Sequence, residues 1–184
     1  MDPLEKAASV VSEGGVIAYA TESVFGLGCN PSDESAVRRV IEIKRRPVSK
    51  GLIMIAGSRE ELSPFINEKA LSPLCLSLMD KHWPGPFSIV VPASPSLSRL
   101  VTGNRDTVAV RVTKHEGVRR ICALLGYPLI STSANFSGEE PLRTYEDTVR
   151  VLGDLVDYVV PGETMRLRSP STVIDGMTGK ILRN

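Results

Sequence analysis

Cysteine is scarce in this chain: Cys29, Cys75 and Cys122 are the only three in 184 residues, and they stand 46 and 47 positions apart. An odd, scattered set with no Cys-x-x-Cys pair argues against a disulfide framework and against a thiolate zinc site. Histidine is scarcer still. His82 and His115 lie far from each other and from every cysteine, so a resident soft-ligand metal is not expected. A hard cation carried in by a nucleotide stays open, because it needs few protein ligands. Aromatic residues make up 5%, too few to read single-stranded nucleic acid by base stacking. No apolar run approaches the ~20 residues needed to cross a bilayer. The opening Met1-Asp2-Pro3-Leu4-Glu5-Lys6 has neither the basic start nor the apolar stretch of a signal peptide. The expectation is a soluble, cytoplasmic protein without membrane partners. No Ser/His/Asp arrangement is legible either.

What is present is ordinary for a folded domain. Hydrophobic residues are 42% and charged residues 23%. The length suits a single domain over 1–184, without linker or internal repeat. Net charge is +1, and its distribution is more telling than its sum. Residues 1–36 hold six acidic residues and one basic. Residues 38–50 hold six basic ones, Arg38, Arg39, Lys44, Arg45, Arg46 and Lys50, against Glu42 alone. That is +5 in 13 residues, a field that attracts phosphates.

Helix and strand patterns alternate. Asp2-Pro3 is a cap and first-turn pair that opens a helix to about Glu13, closed by Gly14-Gly15. A buried strand follows over 16–20. The apolar stripe of Ala36, Val37, Val40, Ile41 and Ile43 predicts a helix over 35–44, stopped by Pro47. A strand is expected over 52–56 and a capping box at Ser58-Arg59-Glu60-Glu61. Helical spacing returns over 71–79 and breaks at Trp83-Pro84-Gly85-Pro86. Strands over 88–91 and 107–112 precede a helix over 116–125, a strand over 129–131 and a helix over 144–152. Short strands over 158–160, 172–174 and 181–182 close the chain. This is α/β, but strands follow one another near the end. A twisted, mixed parallel and antiparallel sheet with flanking helices fits better than a doubly wound parallel one.

Four loops are rich in groups that bind phosphate or carboxylate. The first, Thr21-Glu22-Ser23-Val24-Phe25-Gly26-Leu27-Gly28, follows a buried strand. It reads either as a glycine-rich anion loop with hydroxyls from Thr21 and Ser23, or as a loop with glycines at positive φ. It is not a Walker A motif. In the second, Pro47 turns the chain after Arg46, so Lys44, Arg46 and Lys50 can face one anion; a solvated basic helix end is the alternative. In the third, Thr107, Ala109 and Arg111 share one strand face and Val108, Val110 and Val112 the other. Arg111 then takes either a substrate carboxylate or a structural Asp or Glu. The fourth, Ser131-Thr132-Ser133-Ala134-Asn135-Phe136-Ser137-Gly138, offers hydroxyls and an amide that either recognise a nucleotide or cap turns.

Taken in order, these segments resemble the YrdC/TsaC family of L-threonylcarbamoyladenylate synthases. The matching stretches are Tyr19–Gly28, Lys44-Arg45-Arg46-Pro47 with Lys50-Gly51-Leu52-Ile53, Trp83-Pro84-Gly85-Pro86, Thr107–Arg111, Ser131–Gly138 and Ser171-Thr172-Val173-Ile174-Asp175. They span nearly the whole chain. Two departures stand out: Ala20 replaces the family's usual proline, and Ile55 a frequent histidine. Ending at Asn184, the chain corresponds to the short form of the family, without an additional C-terminal domain.

The resemblance implies a mixed sheet around a basic cavity and a reaction in which L-threonine, bicarbonate (or CO2) and ATP give threonylcarbamoyl-AMP and pyrophosphate. That product feeds the t6A modification at position 37 of tRNA through partner proteins. It further implies that Lys44, Arg46, Lys50, Thr107, Ser133, Asn135 and Arg183 hold ATP. Thr21, Ser23, Arg111 and Ser171 would line the threonine pocket, with Arg111 on the carboxylate. Mg2+ would arrive with ATP, and no residue need act as nucleophile, Arg46 and Lys50 serving by position and charge. Two other readings compete. One is a protein that binds tRNA or double-stranded RNA through a basic concave surface. The other is a carbamoyl-transfer module of the hydrogenase-maturation kind.

Overall fold

In the computed structural model, which describes residues 1–184, the first helix α1 (Pro3–Ser12) starts at its cap. The Asp2 carboxylate accepts the Leu4 N–H at 3.0 Å, Glu5 completes a capping box, and Pro3 sits where a missing N–H costs nothing. Asp33 caps α2 (Glu34–Lys44), which ends with Arg45 in the left-handed region at φ 51°. Pro47 cannot continue a helix, and a single 3-10 turn, Val48–Lys50, follows it. The remaining helices are α3 (Arg59–Leu62), α4 (Pro73–His82), α5 (Arg99–Thr102), α6 (Glu116–Leu125) and α7 (Tyr145–Leu152). The helix expected over 71–79 begins two residues later, behind its Ser72 cap, and runs on to the expected break at Trp83.

Nine strands form one sheet: β1 (Ile17–Ala20), β2 (Phe25–Gly28), β3 (Ile53–Ala56), β4 (Phe87–Pro92), β5 (Thr107–Val112), β6 (Leu129–Ser133), β7 (Tyr158–Val159), β8 (Thr172–Asp175) and β9 (Ile181–Arg183). Their order is β7-β1-β2-β6-β3-β5-β4-β8-β9. Three neighbouring pairs run parallel, β1 with β7, β3 with β5 and β4 with β8, and the other five run antiparallel. The mixed sheet with flanking helices expected from the sequence is thus present. One expectation needs correction. The glycine-rich stretch 21–28 is not all loop, because Phe25–Gly28 is β2, paired with β1 and β6. Its glycines also have no positive φ.

Strand alternation divides the sheet into two unlike faces. Ala18, Phe25, Leu27, Met54, Ala56, Ile89, Val108, Val110 and Ile130 point to the main core, which α2, α4, α5 and α7 cover. On the opposite face, Ile17, Tyr19, Ile55 and Leu129 meet α1 and α6 in a smaller core. Ile55, one of the two departures from the family pattern, is fully buried there. These two helices reach only part of that face. The rest carries glycine, hydroxyl and arginine positions, and this uncovered part is the site.

Tyr19 marks the border between covered and open regions. Its hydroxyl donates to the Ile130 carbonyl at 3.0 Å, so its ring crosses Gly28. A Cβ on Gly28 would sit 2.5 Å from the Ile130 oxygen and 2.6 Å from the Tyr19 ring. We expect Gly28→Ala to cost about 1–3 kcal/mol, the usual range for forced overpacking. A urea titration checks this; an unchanged midpoint would show that Tyr19 moves aside freely.

Candidate active site

Segments distant in sequence converge on the uncovered face. Thr21 and Ser23 come from the β1–β2 turn, and Arg46 and Lys50 from the chain leaving α2. Arg111 comes from β5, Ser133 from the end of β6, Ser171 from the entry to β8 and Arg183 from β9. They line two adjoining cavities. One, of about 140 Å³, takes in Thr21, Ser23, Arg46, Arg111, Ser133, Ser171 and Arg183. The other, of about 210 Å³, takes in Arg46, Lys50, Thr107 and Arg183, over apolar residues that include Val90, Ala109, Val173 and Leu182. Arg46 and Arg183 belong to both and form the wall between them, together with Leu52 and Ile53.

Two of the eleven sequence-predicted residues line neither cavity. Lys44 is 1% exposed and lies beneath the β6 end. Its ammonium donates to the Ser133 carbonyl, to the Asn135 carbonyl at 2.9 Å and to Asn135 Oδ1 at 3.1 Å. Burial, with Arg46 second, pulls its pKa down to about 8. Asn135 in turn donates Nδ2 to the carbonyls of Phe136 and Glu139. Lys44 and Asn135 therefore hold the loop that shapes the cavity around Ser133. The structure does not place Lys44 beside Arg46 and Lys50 on one free surface, because its three donors already meet carbonyl oxygens.

Of the two partners left open in the sequence for Arg111, the structure shows the structural carboxylate, Glu22. Arg111 Nη1 donates to Glu22 Oε2 at 3.0 Å, in a pair where the side chains are 8% and 2% exposed. Glu22 Oε1 also accepts from the Thr113 hydroxyl at 2.6 Å and from the Lys114 N–H at 3.2 Å. Yet Arg111 lines the smaller cavity, and its Nε is buried without a hydrogen-bond partner. A buried donor left unmade is costly, so the site is short of an acceptor here. Thr21 has committed its proton, donating to the Val24 carbonyl at 2.7 Å, and keeps lone pairs for accepting. Ser171 exchanges a hydrogen bond with Ser88 at 3.1 Å and receives one from Arg183 Nη2 at 3.3 Å.

The charge pattern also lacks an anion. Arg46 has a depressed pKa, from burial first and then from Arg183 and Arg105. Arg183 is lowered by burial and then by Arg111. Arginine stays charged through such shifts. The shifts report four guanidiniums feeling one another across a small space with one carboxylate, Glu22, already bound. A ligand bringing phosphate or carboxylate oxygens relieves that repulsion.

Sequence reasoning missed three features. Arg105 lines the larger cavity from the turn before β5, where nothing in Gly103-Asn104-Arg105-Asp106 sets it apart. Glu22 is the one carboxylate of its segment, and its partner lies 89 residues away. The third is a strap formed by residues 162–168. Its Met165 and Leu167 N–H groups donate to the Thr21 and Glu22 carbonyls at 3.3 and 3.0 Å. Arg143 Nη1 donates to the Ser23 carbonyl at 3.0 Å and to Leu167 at 3.4 Å, tying strap to turn. The largest hollow, about 630 Å³, lies beside this strap and includes only Ser23 among the predicted residues. Its size does not make it the site, because the unpaired donors and clustered cations lie elsewhere.

A mixed sheet with one half-covered face presents hydroxyls and four arginines around paired cavities, the chemistry of an anion-binding site. Known proteins share this fold. The family profile described as telomere recombination, Sua5_yciO_yrdC, matches residues 9–184. The threonylcarbamoyl-AMP synthase of Vibrio parahaemolyticus is 44% identical over 183 residues, covering 100% of this chain and 99% of its own. Among solved structures, P. abyssi Sua5 complexed with L-threonine superimposes with a TM-score of 0.87 at 35% identity. That match covers 94% of this chain and 50% of Sua5, so the chain spans about half of that protein. E. coli YciO gives a TM-score of 0.86 at 27% identity, covering 98% of this chain and 88% of its own. The chain belongs to the Sua5/YciO/YrdC family.

Removing the Glu22 carboxylate should leave Arg111 buried without its counter-charge. Glu22→Ala is expected to cost about 3–5 kcal/mol. The double change Glu22→Ala with Arg111→Met should recover part of that loss. Denaturant midpoints for Glu22→Ala, Arg111→Met and the double variant check this; additive losses would mean that the pair does not interact.

Proposed function

We propose that this chain is an L-threonylcarbamoyl-AMP synthase, an enzyme that joins L-threonine, bicarbonate (or CO2) and ATP and releases pyrophosphate. The observation that carries this reading is the shared wall. Arg46 and Arg183 stand between a cavity suited to a small amino acid and one suited to a nucleotide. On the first side, Arg111 takes the threonine carboxylate through its unpaired Nε, with Thr21, Ser23 and Ser171 around the amino acid. On the second, Lys50 and Thr107 meet the nucleotide, with Val90, Val173 and Leu182 beneath it. Ser133, held by Lys44 and Asn135, contacts the phosphates near the wall.

The chemistry then balances without a protein nucleophile. The unprotonated threonine amine adds to CO2 and gives up a proton to water, or condenses with bicarbonate with loss of water, and becomes a carbamate. A carbamate oxygen attacks the α-phosphorus. The bond from the α-phosphorus to the bridging oxygen breaks, and pyrophosphate leaves with the electron pair. Arg46 and Arg183 offset negative charge where these bonds change, and the rate gain comes from position and electrostatics. Mg2+ enters as part of the nucleotide substrate. Bound to the nucleotide's phosphates, it would supply positive charge there.

The product is handed to partner proteins that place t6A at position 37 of tRNA, and the reading puts the reaction in the cytoplasm. No helix is long and apolar enough to cross a membrane. The RNA-binding alternative is not favoured: Arg111 is buried in the smaller cavity, and Arg46, partly buried, lines both.

Incubation with ATP, L-threonine and bicarbonate should yield threonylcarbamoyl-AMP by mass spectrometry, with pyrophosphate release that needs all three. Arg46→Ala and Lys50→Ala should each lower turnover by about 10²-fold or more, as when one stabilising donor is lost. Wild-type release of pyrophosphate without threonine would sink the reading.

A further inference from the structure

Next to Lys50 lies a group of residues that neither the family resemblance nor the preceding mechanism uses. Thr102, at the end of α5, is 4% exposed and lines the larger cavity. Its hydroxyl is buried with no hydrogen-bond partner, one of two such side-chain atoms in the chain, the other being Arg111 Nε. Arg105, three residues on, lines the same cavity, and its charge contributes to lowering the Arg46 pKa.

Both residues are fixed against the segment that carries Lys50. Arg105 Nη2 donates to the Ser49 carbonyl at 2.8 Å, and Leu52 N–H donates to the Val101 carbonyl at 2.8 Å. Gly51 and Gly103 meet at their backbones, both at positive φ, 64° and 66°. A Cβ on Gly103 would lie 2.7 Å from the Gly51 nitrogen and 2.8 Å from the Ser49 oxygen. A side chain at Gly103 is therefore excluded by contact as well as by conformation, and one at Gly51 is disfavoured by its φ.

Two chemically different groups help to line the larger cavity. Val90, Val173 and Leu182, from β4, β8 and β9, are apolar. Lys50, Thr102 and Arg105, from the 3-10 turn, α5 and the turn before β5, are polar, and two of them are cationic. A nucleotide has the same division, an apolar base and a charged phosphate tail. Arg105 still has donors beyond the one committed to Ser49, and Thr102 needs a partner.

We infer that Thr102 and Arg105 form with Lys50 a subsite for the terminal phosphates of the nucleotide. This subsite holds the pyrophosphate as it takes the electron pair from the breaking bond. Arg105 has two parts: a charge on the phosphate, and a hold on the Ser49 carbonyl that sets the direction of Lys50. The inference rests on the synthase reading for the identity of the nucleotide. The chemistry of the subsite itself requires only an anion of the pyrophosphate class.

The test uses the full chain with Arg105→Ala, Arg105→Lys and Thr102→Val. Arg105 is exposed, so its variants should fold, and thermal melting with threonine binding confirms that each is intact. With threonine and bicarbonate saturating, the ATP KM should rise at least tenfold in Arg105→Ala and about threefold in Thr102→Val. Arg105→Lys should fall between wild type and Arg105→Ala. The threonine KM should stay within twofold throughout, which a merely structural role would not produce. Inhibition by added inorganic pyrophosphate should weaken in parallel. An ATP KM and a pyrophosphate inhibition constant both within twofold of wild type in Arg105→Ala and Thr102→Val would overturn the inference. If the wild type forms no product, the synthase reading has failed on its own. Calorimetric binding of inorganic pyrophosphate to wild type and Arg105→Ala then decides the subsite: weaker binding in the variant supports it, and equal or absent binding overturns it.

Discussion

One buried carboxylate, Glu22, holds the site together. Its side chain pairs with Arg111 on β5 and accepts from Thr113 and Lys114 just beyond that strand. Its own carbonyl accepts from Leu167 in the strap. Three separate stretches of chain are thus joined through one residue that is 2% exposed. Burying a carboxylate is costly unless it is paired and hydrogen-bonded, so these partners matter to the fold as much as Glu22 does. The result is an arginine locked at one end by Glu22, with its Nε buried and unpaired.

The open half of the sheet face follows from how far α1 and α6 reach. Where they cover it, the alternating positions are Ile17, Tyr19, Ile55 and Leu129. Beyond them the same alternation presents Ser131, Ser133, Arg111, Ala109 and Thr107. A wholly apolar face there would demand another helix, and a face of small, hydroxyl and cationic groups does not. Four guanidiniums so close together repel one another, which costs stability and favours an anion placed among them.

Much of the fold was legible in the sequence because its signals are local. The caps at Asp2 and Ser58, the stop at Pro47 and the valine alternation of β5 each act within a few residues. The strand β2 was not legible, because Phe25-Gly26-Leu27-Gly28 has the composition of a turn. Only pairing with β1 and β6, and the ring of Tyr19 lying over Gly28, make that composition a strand. Lys44 shows the same limit in the site. As one charge of a basic run it looked available for a ligand. Its burial and its three hydrogen-bonded oxygens at Ser133 and Asn135 come from β6 and the loop beyond it.

The sequence by itself determined the class of element at each point, the two-sided character of the strands and the residue types from which an anion site is made. These depend on period, propensity and side-chain chemistry, which are properties of short segments. Tertiary structure alone decided which charges are free. Arg111 and Glu22 are 89 residues apart, Lys44 and Ser133 likewise 89, and Arg105 and Ser49 56. Whether a lysine or arginine binds a ligand or a carbonyl of its own chain depends on what stands opposite it across such distances. No local pattern records that.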